Sequence, residues 1–227
     1  MAHPLISDSL RNELRSVLGA LSTGVTLELR VRGGDDAVLA DTQRAAGALA
    51  QAVADAAPER VVLTVTDLDA DATRSSDEED DLPAVRVAKQ GEEPRIEYRG
   101  VPGGFELGAL VDAVQRLGTG SLGLGDASLA QIATLQEQTT LMVFVTPTCP
   151  YCPMAAALAF RLAIASPRIS AVAIEAIEFP ERADLYGVRG VPQIVVNDIA
   201  SFTGSLPENA FVARVVELAR HHRPEAA

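Results

Sequence analysis

The sequence has few cysteines, few aromatic residues and no long hydrophobic or basic run. Its 227 residues include two Cys, no Trp and 4% aromatic residues. Two cysteines cannot build a framework of several disulfides, so the fold must rest on a hydrophobic core. Hydrophobic residues make up 48% of the chain, which is enough for a core made mostly of Ala, Val and Leu.

The missing runs also argue against several classes of partner. The net charge is −12, and no cluster of Lys and Arg with interleaved aromatics is present, which argues against nucleic-acid binding. No segment is long and apolar enough to span a bilayer. The first residues do not fit a signal peptide, because Asp8, Arg11 and Glu13 interrupt the apolar stretch. We therefore predict a cytoplasmic protein with no membrane and no nucleic-acid partner, in a compartment that keeps thiols reduced.

Hydrophobic periodicity predicts the same order of helices and strands twice along the chain. In the first half, the predicted helices and strands are, in chain order, Ser9–Leu21, Val25–Val31, Ala37–Ala56, Val61–Val65, Ala84–Ala88, Arg95–Tyr98 and Gly104–Leu117. In the second half they are Leu129–Leu135, Leu141–Val145, Pro150–Ala165, Ile169–Ile174, Gln193–Val196, Ser201–Thr203 and Phe211–Arg220. This alternation predicts an α/β protein built from two copies of one supersecondary unit.

A glycine-rich segment separates the two copies. Gly118–Asp126 (GTGSLGLGD) has four glycines, which is typical of a linker, so we predict domains over residues 1–121 and 122–227. Within the first domain, Ser75–Asp81 (SSDEEDD) combines five acids with two serines. We predict a solvated loop there, with the docking of a partner as the alternative.

The two cysteines stand together in Cys149-Pro150-Tyr151-Cys152, between a predicted strand and a predicted helix. The free N–H groups and the dipole at a helix N-terminus favour the thiolate of Cys149 over the thiol. A thiolate is the nucleophile of thiol–disulfide exchange, so Cys149 is predicted to attack substrate disulfides. Cys152 follows three residues later on the same helical face, where it can attack the mixed disulfide and release the product. The prolines Pro150 and Pro153 are both predicted to lie in the first turn.

A second candidate feature is Val191-Pro192, at the start of a predicted strand. A proline there gives up a hydrogen-bond donor of the sheet, and a cis peptide would place a tight turn opposite the two cysteines. The backbone of Val191 could then pair with an extended substrate segment. We take Pro150 and Tyr151, between the cysteines, together with Val191 and Pro192 as candidate substrate-binding residues.

Three other interpretations stay open. Cys149 and Cys152 can be half of a zinc site, although tetrahedral zinc needs four ligands and the other soft ligands are His3, His221 and His222. The same two residues can be inert core cysteines, and Pro192 can be an ordinary trans proline. The helix-start position and the two adjacent prolines favour a redox pair, so no metal is predicted.

Longer motifs around these residues resemble a known family. Thr146–Pro153 (TPTCPYCP), Ala173–Val188 (AIEAIEFPERADLYGV) and Val191–Asn197 (VPQIVVN) are similar to the C-terminal half of the glutaredoxin-like protein disulfide oxidoreductases. These are tandem thioredoxin-fold proteins of thermophilic archaea and bacteria. Pro4–Leu14 (PLISDSLRNEL) and Tyr98–Leu107 (YRGVPGGFEL) resemble their N-terminal half.

The resemblance implies two tandem thioredoxin-like folds, each a central mixed β-sheet flanked by helices. It implies that Cys149 is the attacking thiol, Cys152 the resolving thiol and Pro192 a cis-proline that faces them, with Pro83 as its counterpart in the first fold. It implies no bound cofactor. The implied partners are disulfide-containing protein substrates and an NADPH-dependent flavoprotein (thioredoxin) reductase as the electron donor.

The sequence departs from the related families at several positions. Many members have a CxxC in each half, whereas here the corresponding loop of the first half is Arg32–Leu39 (RGGDDAVL), so the first domain is predicted to be redox-inactive. Val143 stands where thioredoxins have a buried carboxylate. A proton relay would need another acid, with Glu175 and Glu178 as candidates and ordinary surface glutamates as the simpler interpretation. Phe202–Phe211 (FTGSLPENAF) lacks the Gly-Gly-Asp turn of glutaredoxins, so specific glutathione binding is not predicted.

Three functions are compatible with this pattern. The first is a general protein disulfide oxidoreductase that reduces, forms or isomerises disulfides. The second follows from a similarity to the amino-terminal region of the flavoprotein subunit of alkyl hydroperoxide reductase, a tandem fold with one CxxC, and is a dithiol electron relay to a peroxiredoxin. The third is a non-catalytic binding module, in which the first domain and Asp77–Asp81 bind a partner and the CxxC is a redox switch.

Overall fold

The computed structural model describes residues 5–33, 37–68 and 81–221. The helices are α1 (Asp8–Leu18), α2 (Ala37–Ala56), α3 (Leu107–Thr119), α4 (Asp126–Ile132), α5 (Cys152–Ala165), α6 (Pro180–Leu185) and α7 (Glu208–His221). The strands are β1 (Val25–Val31), β2 (Val61–Asp67), β3 (Ala84–Lys89), β4 (Ile96–Arg99), β5 (Thr139–Val145), β6 (Ile169–Glu175), β7 (Gln193–Val196) and β8 (Ala200–Thr203). None of the helices in these ranges has both the length and the apolarity that crossing a bilayer requires.

All eight described strands form one mixed sheet in the order β2-β1-β3-β4-β6-β5-β7-β8. Each half contributes four neighbouring strands, and the pairing within each half is the same: one parallel pair followed by two antiparallel pairs. The halves join where β4 pairs in parallel with β6, with Ile96 opposite Ala171 and Arg99 opposite Ile174. The predicted tandem mixed-sheet folds are therefore confirmed, and their sheets are continuous.

The hydrophobic core is filled with few aromatic residues because small side chains allow close packing of helix against sheet. Helix α5 is rich in alanine, a strong helix former whose small side chain lets the helix lie close to the sheet. Its residues Ala155, Ala156, Ala159 and Ala163 are fully buried, and the helix packs against β5 and β6. It also packs against α3 of the first half, so one hydrophobic cluster runs through both halves. Helix α5, which begins at Cys152, therefore packs against both halves of the protein.

Several bounds differ from the sequence prediction: α1 is Asp8–Leu18 rather than Ser9–Leu21, and α4 is Asp126–Ile132 rather than Leu129–Leu135. Helix α5 begins at Cys152 rather than at Pro150, so the prediction that Pro150 lies in its first turn is wrong, whereas Pro153 does lie there. Pro150 instead belongs to a turn that precedes the helix. The short helix α6 was not predicted, because six residues are too few to show a hydrophobic period. Its only local signal is Pro180 at the first helical position.

The acidic segment was predicted to be a solvated loop, and this is wrong for its last residue. Asp81 is buried and accepts hydrogen bonds from Arg99 at 3.0 Å and from Arg182 at 2.8 Å. Because Arg99 lies on β4 and Arg182 on α6, this carboxylate ties the two halves together. The other residues of the segment, 75–80, lie outside the described residues.

We expect Asp81→Ala to lower the free energy of unfolding by about 2 kcal/mol, because it leaves two partly buried guanidinium groups without their shared carboxylate. Asp41→Ala is the matched control, since the pair between Asp41 and Arg44 is largely exposed and should be worth no more than about 0.5 kcal/mol. Urea titration at constant pH measures both. Equal losses in the two variants would show that the Asp81 cluster is not a special link.

Candidate active site

The end of β5 places Cys149 at the C-terminal edge of the sheet. Strand β5 is buried along almost its whole length, between β6 and β7, and leads through Thr146, Pro147 and Thr148 to Cys149. The Cys149 amide donates to the Thr146 carbonyl at 3.1 Å, which closes a turn just before the cysteine. Helix α5 begins three residues later, at Cys152. The predicted strand, short loop, CxxC and helix are confirmed as the local structure.

Cys149 and Cys152 are joined by a disulfide, with a Cα–Cα distance of 5.5 Å. Cys152 is fully buried, whereas Cys149 is only partly buried. The amide of Cys152, at the start of α5, donates to Cys149 Sγ at 3.1 Å. A donor aimed at this sulfur, at a helix N-terminus, stabilises negative charge on Cys149 once the disulfide is reduced. Exposure and electrostatics thus both favour Cys149 as the sulfur that meets a substrate.

The second predicted feature lies directly against this sulfur. The Val191–Pro192 peptide bond is cis, as predicted, and the carbonyl oxygen of Val191 lies 3.8 Å from Cys149 Sγ. The carbonyl of Pro192 accepts from Gly204 of the adjoining strand region at 2.8 Å. No hydrogen bond of the Val191 amide is found within the described part of the chain, so this amide can still pair with an added backbone segment.

The first half repeats this feature without the cysteines. The Leu82–Pro83 peptide is also cis, and the carbonyl of Pro83 accepts from Gly100 at 2.7 Å. The counterpart of the CxxC loop follows β1, where the side chain of Gln43 bonds both the amide and the carbonyl of Arg32. Residues 34–36 of that loop lie outside the described residues. The first half contains no cysteine, so it has no thiol for exchange.

The zinc alternative finds no support from the described residues. Cys149 and Cys152 are bonded to each other, and no group of three or more His, Cys, Asp or Glu in the described ranges is arranged to hold a metal. His3 and His222 lie outside those ranges, and the side chain of His221 is not described either.

Sequence reasoning missed a buried acid next to the site. Glu106 ends a 3₁₀ turn, Gly104–Glu106, that packs against α5 and against the loop before Cys149. The Phe105 amide of this turn donates to the Pro147 carbonyl, and Gly104 is needed because a Cβ there would lie 2.5 Å from the same oxygen. Glu106 is fully buried, and neither carboxyl oxygen has a hydrogen-bond partner among the described residues. The available signal was its position as the only charged residue between Arg99 and Asp112.

Two further acids and a tyrosine belong to the same buried cluster as Glu106. The prediction that Glu175 and Glu178 are ordinary surface residues is wrong for Glu175, which is almost fully buried at the end of β6. The Glu178 amide donates to Glu175 at 2.6 Å, and Glu178 accepts from the Val101 amide at 2.9 Å. The hydroxyl of Tyr98 is buried, with no partner among the described residues. The carboxyls therefore come from both halves and meet at the seam.

Burial controls the protonation of this cluster. Burial, and secondly the nearby Glu175, raises the pKa of Glu106 to about 8. Burial also raises the pKa of Glu175 and of Glu178, although backbone N–H groups oppose the shift in both. Tyr98 has its pKa raised by burial and by all three carboxyls. Glu106 is thus an uncharged acid at neutral pH that can exchange a proton near pH 8.

The sheet, the CxxC and the facing cis-proline define a thiol–disulfide oxidoreductase of the thioredoxin fold. Residues 139–217 match the thioredoxin domain family. The thioredoxin of Methanocaldococcus jannaschii is 32% identical over 74 residues, which cover 32% of this chain and 87% of that protein. A probable thioredoxin of Methanothermobacter thermautotrophicus is 36% identical over 64 residues, covering 28% of this chain and 75% of that protein.

Solved structures match the chain over nearly its full length. A protein disulfide oxidoreductase from Aeropyrum pernix is 30% identical with a TM-score of 0.80, covering 95% of this chain and 94% of that one. The NTD_N/C domain of alkylhydroperoxide reductase AhpF from Enterococcus faecalis has a TM-score of 0.79 at 20% identity, covering 92% of this chain and 99% of that one, and shares the fold. The chain belongs to the thioredoxin family and, at 30% identity over 95% of its length, to the protein disulfide oxidoreductases.

Proposed function

We propose that this protein reduces disulfides in other proteins through Cys149 and Cys152. The observation that carries the proposal is the position of Cys149. This residue is only partly buried, and its sulfur receives an N–H from the helix start and lies 3.8 Å from the Val191 carbonyl. A substrate strand that pairs with the Val191 amide would bring its own sulfur to this point. Tyr151 is largely exposed beside Cys149 and Pro150 is exposed too, so both can contact the same substrate.

The proposed reaction moves two electrons from the dithiol to the substrate. The Cys149 thiolate attacks one sulfur of the substrate disulfide, which forms a mixed disulfide and releases the other substrate sulfur as a thiolate. Cys152 then loses its proton and attacks Cys149 Sγ. This step forms the Cys149–Cys152 disulfide and releases the second substrate thiolate, which takes up a proton. An external dithiol or reductase restores the dithiol. The same steps in reverse form a disulfide, and attack of a different substrate thiol on the mixed disulfide isomerises one while it frees Cys149 again.

Glu106 is our candidate for the acceptor of the Cys152 proton. Cys152 is fully buried, so its proton cannot pass directly to water. Glu106 lies in the turn that packs on α5, the helix that Cys152 begins, and has two carboxyl oxygens without partners among the described residues. Only the ionised form of Glu106 can accept this proton, and a pKa of about 8 leaves a minor share ionised at neutral pH that grows as the pH rises. In this role Glu106 replaces the buried carboxylate that thioredoxins have on the central strand, because the residue at that position here is Val143, which is buried and apolar.

We propose that residues 1–121 form a redox-inactive domain and residues 122–227 the reactive one. The lack of cysteine in the first and the CxxC in the second support this division. An NADPH-dependent flavoprotein reductase is the proposed electron donor. A cytoplasmic location remains a prediction from the sequence.

Coupled turnover tests the proposal. With NADPH, a thioredoxin reductase and insulin as the disulfide substrate, we expect NADPH consumption that depends on the protein and precipitation of the freed insulin B chain. The same assay with a peroxiredoxin and a peroxide in place of insulin tests the relay to a peroxiredoxin. Insulin reduction at a rate above that of the peroxide reaction supports the proposed function. If the protein supported the peroxiredoxin reaction but did not reduce insulin, the electron relay to a peroxiredoxin would replace the proposed function.

A further inference from the structure

A groove of about 650 Å³ opens beside the cysteine pair, between the two halves of the protein. We call it the seam groove. One wall is the exposed face of α5, and the other is the beginning of α3 from the first half. The loop before α7 closes one end. The residues that define it here are Gly108, Ala109, Met154, Leu158, Arg161 and Leu206.

The seam groove is lined mostly by apolar residues, and its three charged lining residues, Asp112, Arg161 and Glu208, are all hydrogen-bonded to neighbouring residues. Ala109 and Leu158 are buried beneath it. Arg161 binds the carboxylate of Asp112 through two hydrogen bonds of 2.9 and 3.0 Å, so these two charges neutralise each other. Met154 is 54% exposed, and its unbranched side chain can adapt to different partners. This combination fits an uncharged, apolar side chain.

The groove continues the surface that a substrate must already touch. Pro153 and Met154 directly follow Cys152 in the first turn of α5. Phe105 is 57% exposed and belongs to the turn that contacts Pro147, just before Cys149. Tyr151, between the cysteines, is 62% exposed. Exposed apolar residues so close together are typical of an interaction surface, and these lead from the reactive sulfur into the groove.

We propose that the seam groove binds an apolar side chain that lies near the reactive cystine of a disulfide-bearing polypeptide. The inference rests on the proposed function and names the feature of the substrate that the protein selects. It also gives the cysteine-free half a role in the reaction, since α3 supplies Gly108 and Ala109 to one wall. Each half thus contributes to substrate binding, although only one half has thiols.

Gly108 offers a direct way to fill the groove. It lies in the first turn of α3, and a Cβ added there meets nothing within 4 Å. Gly108→Gln therefore places a neutral side chain in the groove without a backbone clash, at a helical position that glutamine favours over glycine. Gly108→Ala is the matched control, because it changes helix propensity in the same direction but adds only a methyl group.

The test compares insulin with a small aromatic disulfide, 5,5′-dithiobis(2-nitrobenzoate), which has no polypeptide to place in the groove. We expect Gly108→Gln to raise KM for insulin about tenfold, the effect of losing one apolar contact in a pocket, and to leave the rate with the small disulfide unchanged. Gly108→Ala should resemble the wild type. Met154→Ala, which removes apolar surface from the opposite wall, should raise KM for insulin in the same direction.

Three outcomes would overturn the inference. An unchanged KM for insulin in Gly108→Gln shows that the groove is not used. Equal losses with insulin and the small disulfide show damage to the redox site rather than to substrate binding. A wild-type protein that reduces the small disulfide but not insulin contradicts the proposed function itself, and the inference falls with it.

Discussion

Cys149→Ser is expected to reduce insulin turnover to the rate measured without protein. A serine hydroxyl cannot form a disulfide, and the one remaining cysteine, Cys152, is fully buried and cannot meet a substrate disulfide. Circular dichroism and the melting temperature of the variant, compared with those of the reduced wild type, check that the fold is kept. The reduced form is the matched control because both lack the disulfide bond.

Cys152→Ser separates the two sulfur roles. This variant keeps the attacking thiolate but lacks the resolving thiol, so we expect a mixed disulfide between Cys149 and the substrate to accumulate. Mass spectrometry under non-reducing conditions detects it as one added substrate chain that reductant removes. If the mixed disulfide accumulated in Cys149→Ser instead, Cys152 would be the attacking thiol and Cys149 the resolving one. If the wild type and both variants bound a partner protein with the same affinity and none of them turned over insulin, the non-catalytic binding module would be favoured.

Glu106→Gln is expected to slow the resolving step by about 100-fold, the size of effect typical of a lost general base. Glutamine keeps the shape of the side chain but cannot accept a proton from Cys152. In the wild type the rate of this step should rise as the pH approaches 8, the pKa of Glu106, and the variant should lose that rise. Single-turnover release of substrate from the mixed disulfide measures the step, and Glu181→Gln, at an exposed position, is the control.

The same substitution changes how stability depends on pH. The pKa of Glu106 is raised by folding from an ordinary 4.5 to about 8, so between these values the folded state binds more protons than the unfolded state. Its contribution to stability is therefore fully present below pH 4.5 and is lost as the pH rises to 8, by about 1.4 kcal/mol per pH unit at most. Oxidised Glu106→Gln should show a flatter profile in urea unfolding between pH 5 and 8. Parallel profiles for the two proteins would contradict a buried, protonated Glu106.

The parts of the fold that the sequence predicted well have strong local patterns. The alternating residues of β1 and the long alanine-rich α2 were predicted with the bounds that the structure has. The CxxC was located for the same reason, because a strand, a short loop and a helix start surround it within a few residues. The place of Pro192 at the mouth of a strand left a cis or a trans peptide open, and the family resemblance implied the cis form that the structure has.

The parts that were missed depend on contacts between distant residues. Glu106 looks like one acid in an apolar segment until the seam buries it beside Glu175, which lies on a strand of the other half. Asp81 belongs to a run of acids that is typical of a solvent-exposed loop. In the structure it is buried instead and accepts a hydrogen bond from Arg182, 101 residues later in the chain. No local period or propensity contains such information, because both sites arise only when β4 pairs with β6.

This pairing also explains how a half without cysteines can matter for the reaction. It brings the Gly104–Glu106 turn and α3 against α5, so the first half supplies a buried acid and one wall of the seam groove. The two proposed roles are separable by experiment, since Glu106→Gln should affect every disulfide substrate and Gly108→Gln only polypeptides.

The reversible redox titration of Cys149 and Cys152 tests the central claim most directly. The purified protein is equilibrated in dithiothreitol or glutathione buffers of graded poise, and free thiols are counted after acid quenching. We predict a single two-electron transition between two thiols and none per chain. A midpoint near or below the cytosolic glutathione poise, on the order of −250 mV, identifies a reductant, and a higher value a disulfide donor or isomerase. A chain that keeps two free thiols at every poise would contradict the account.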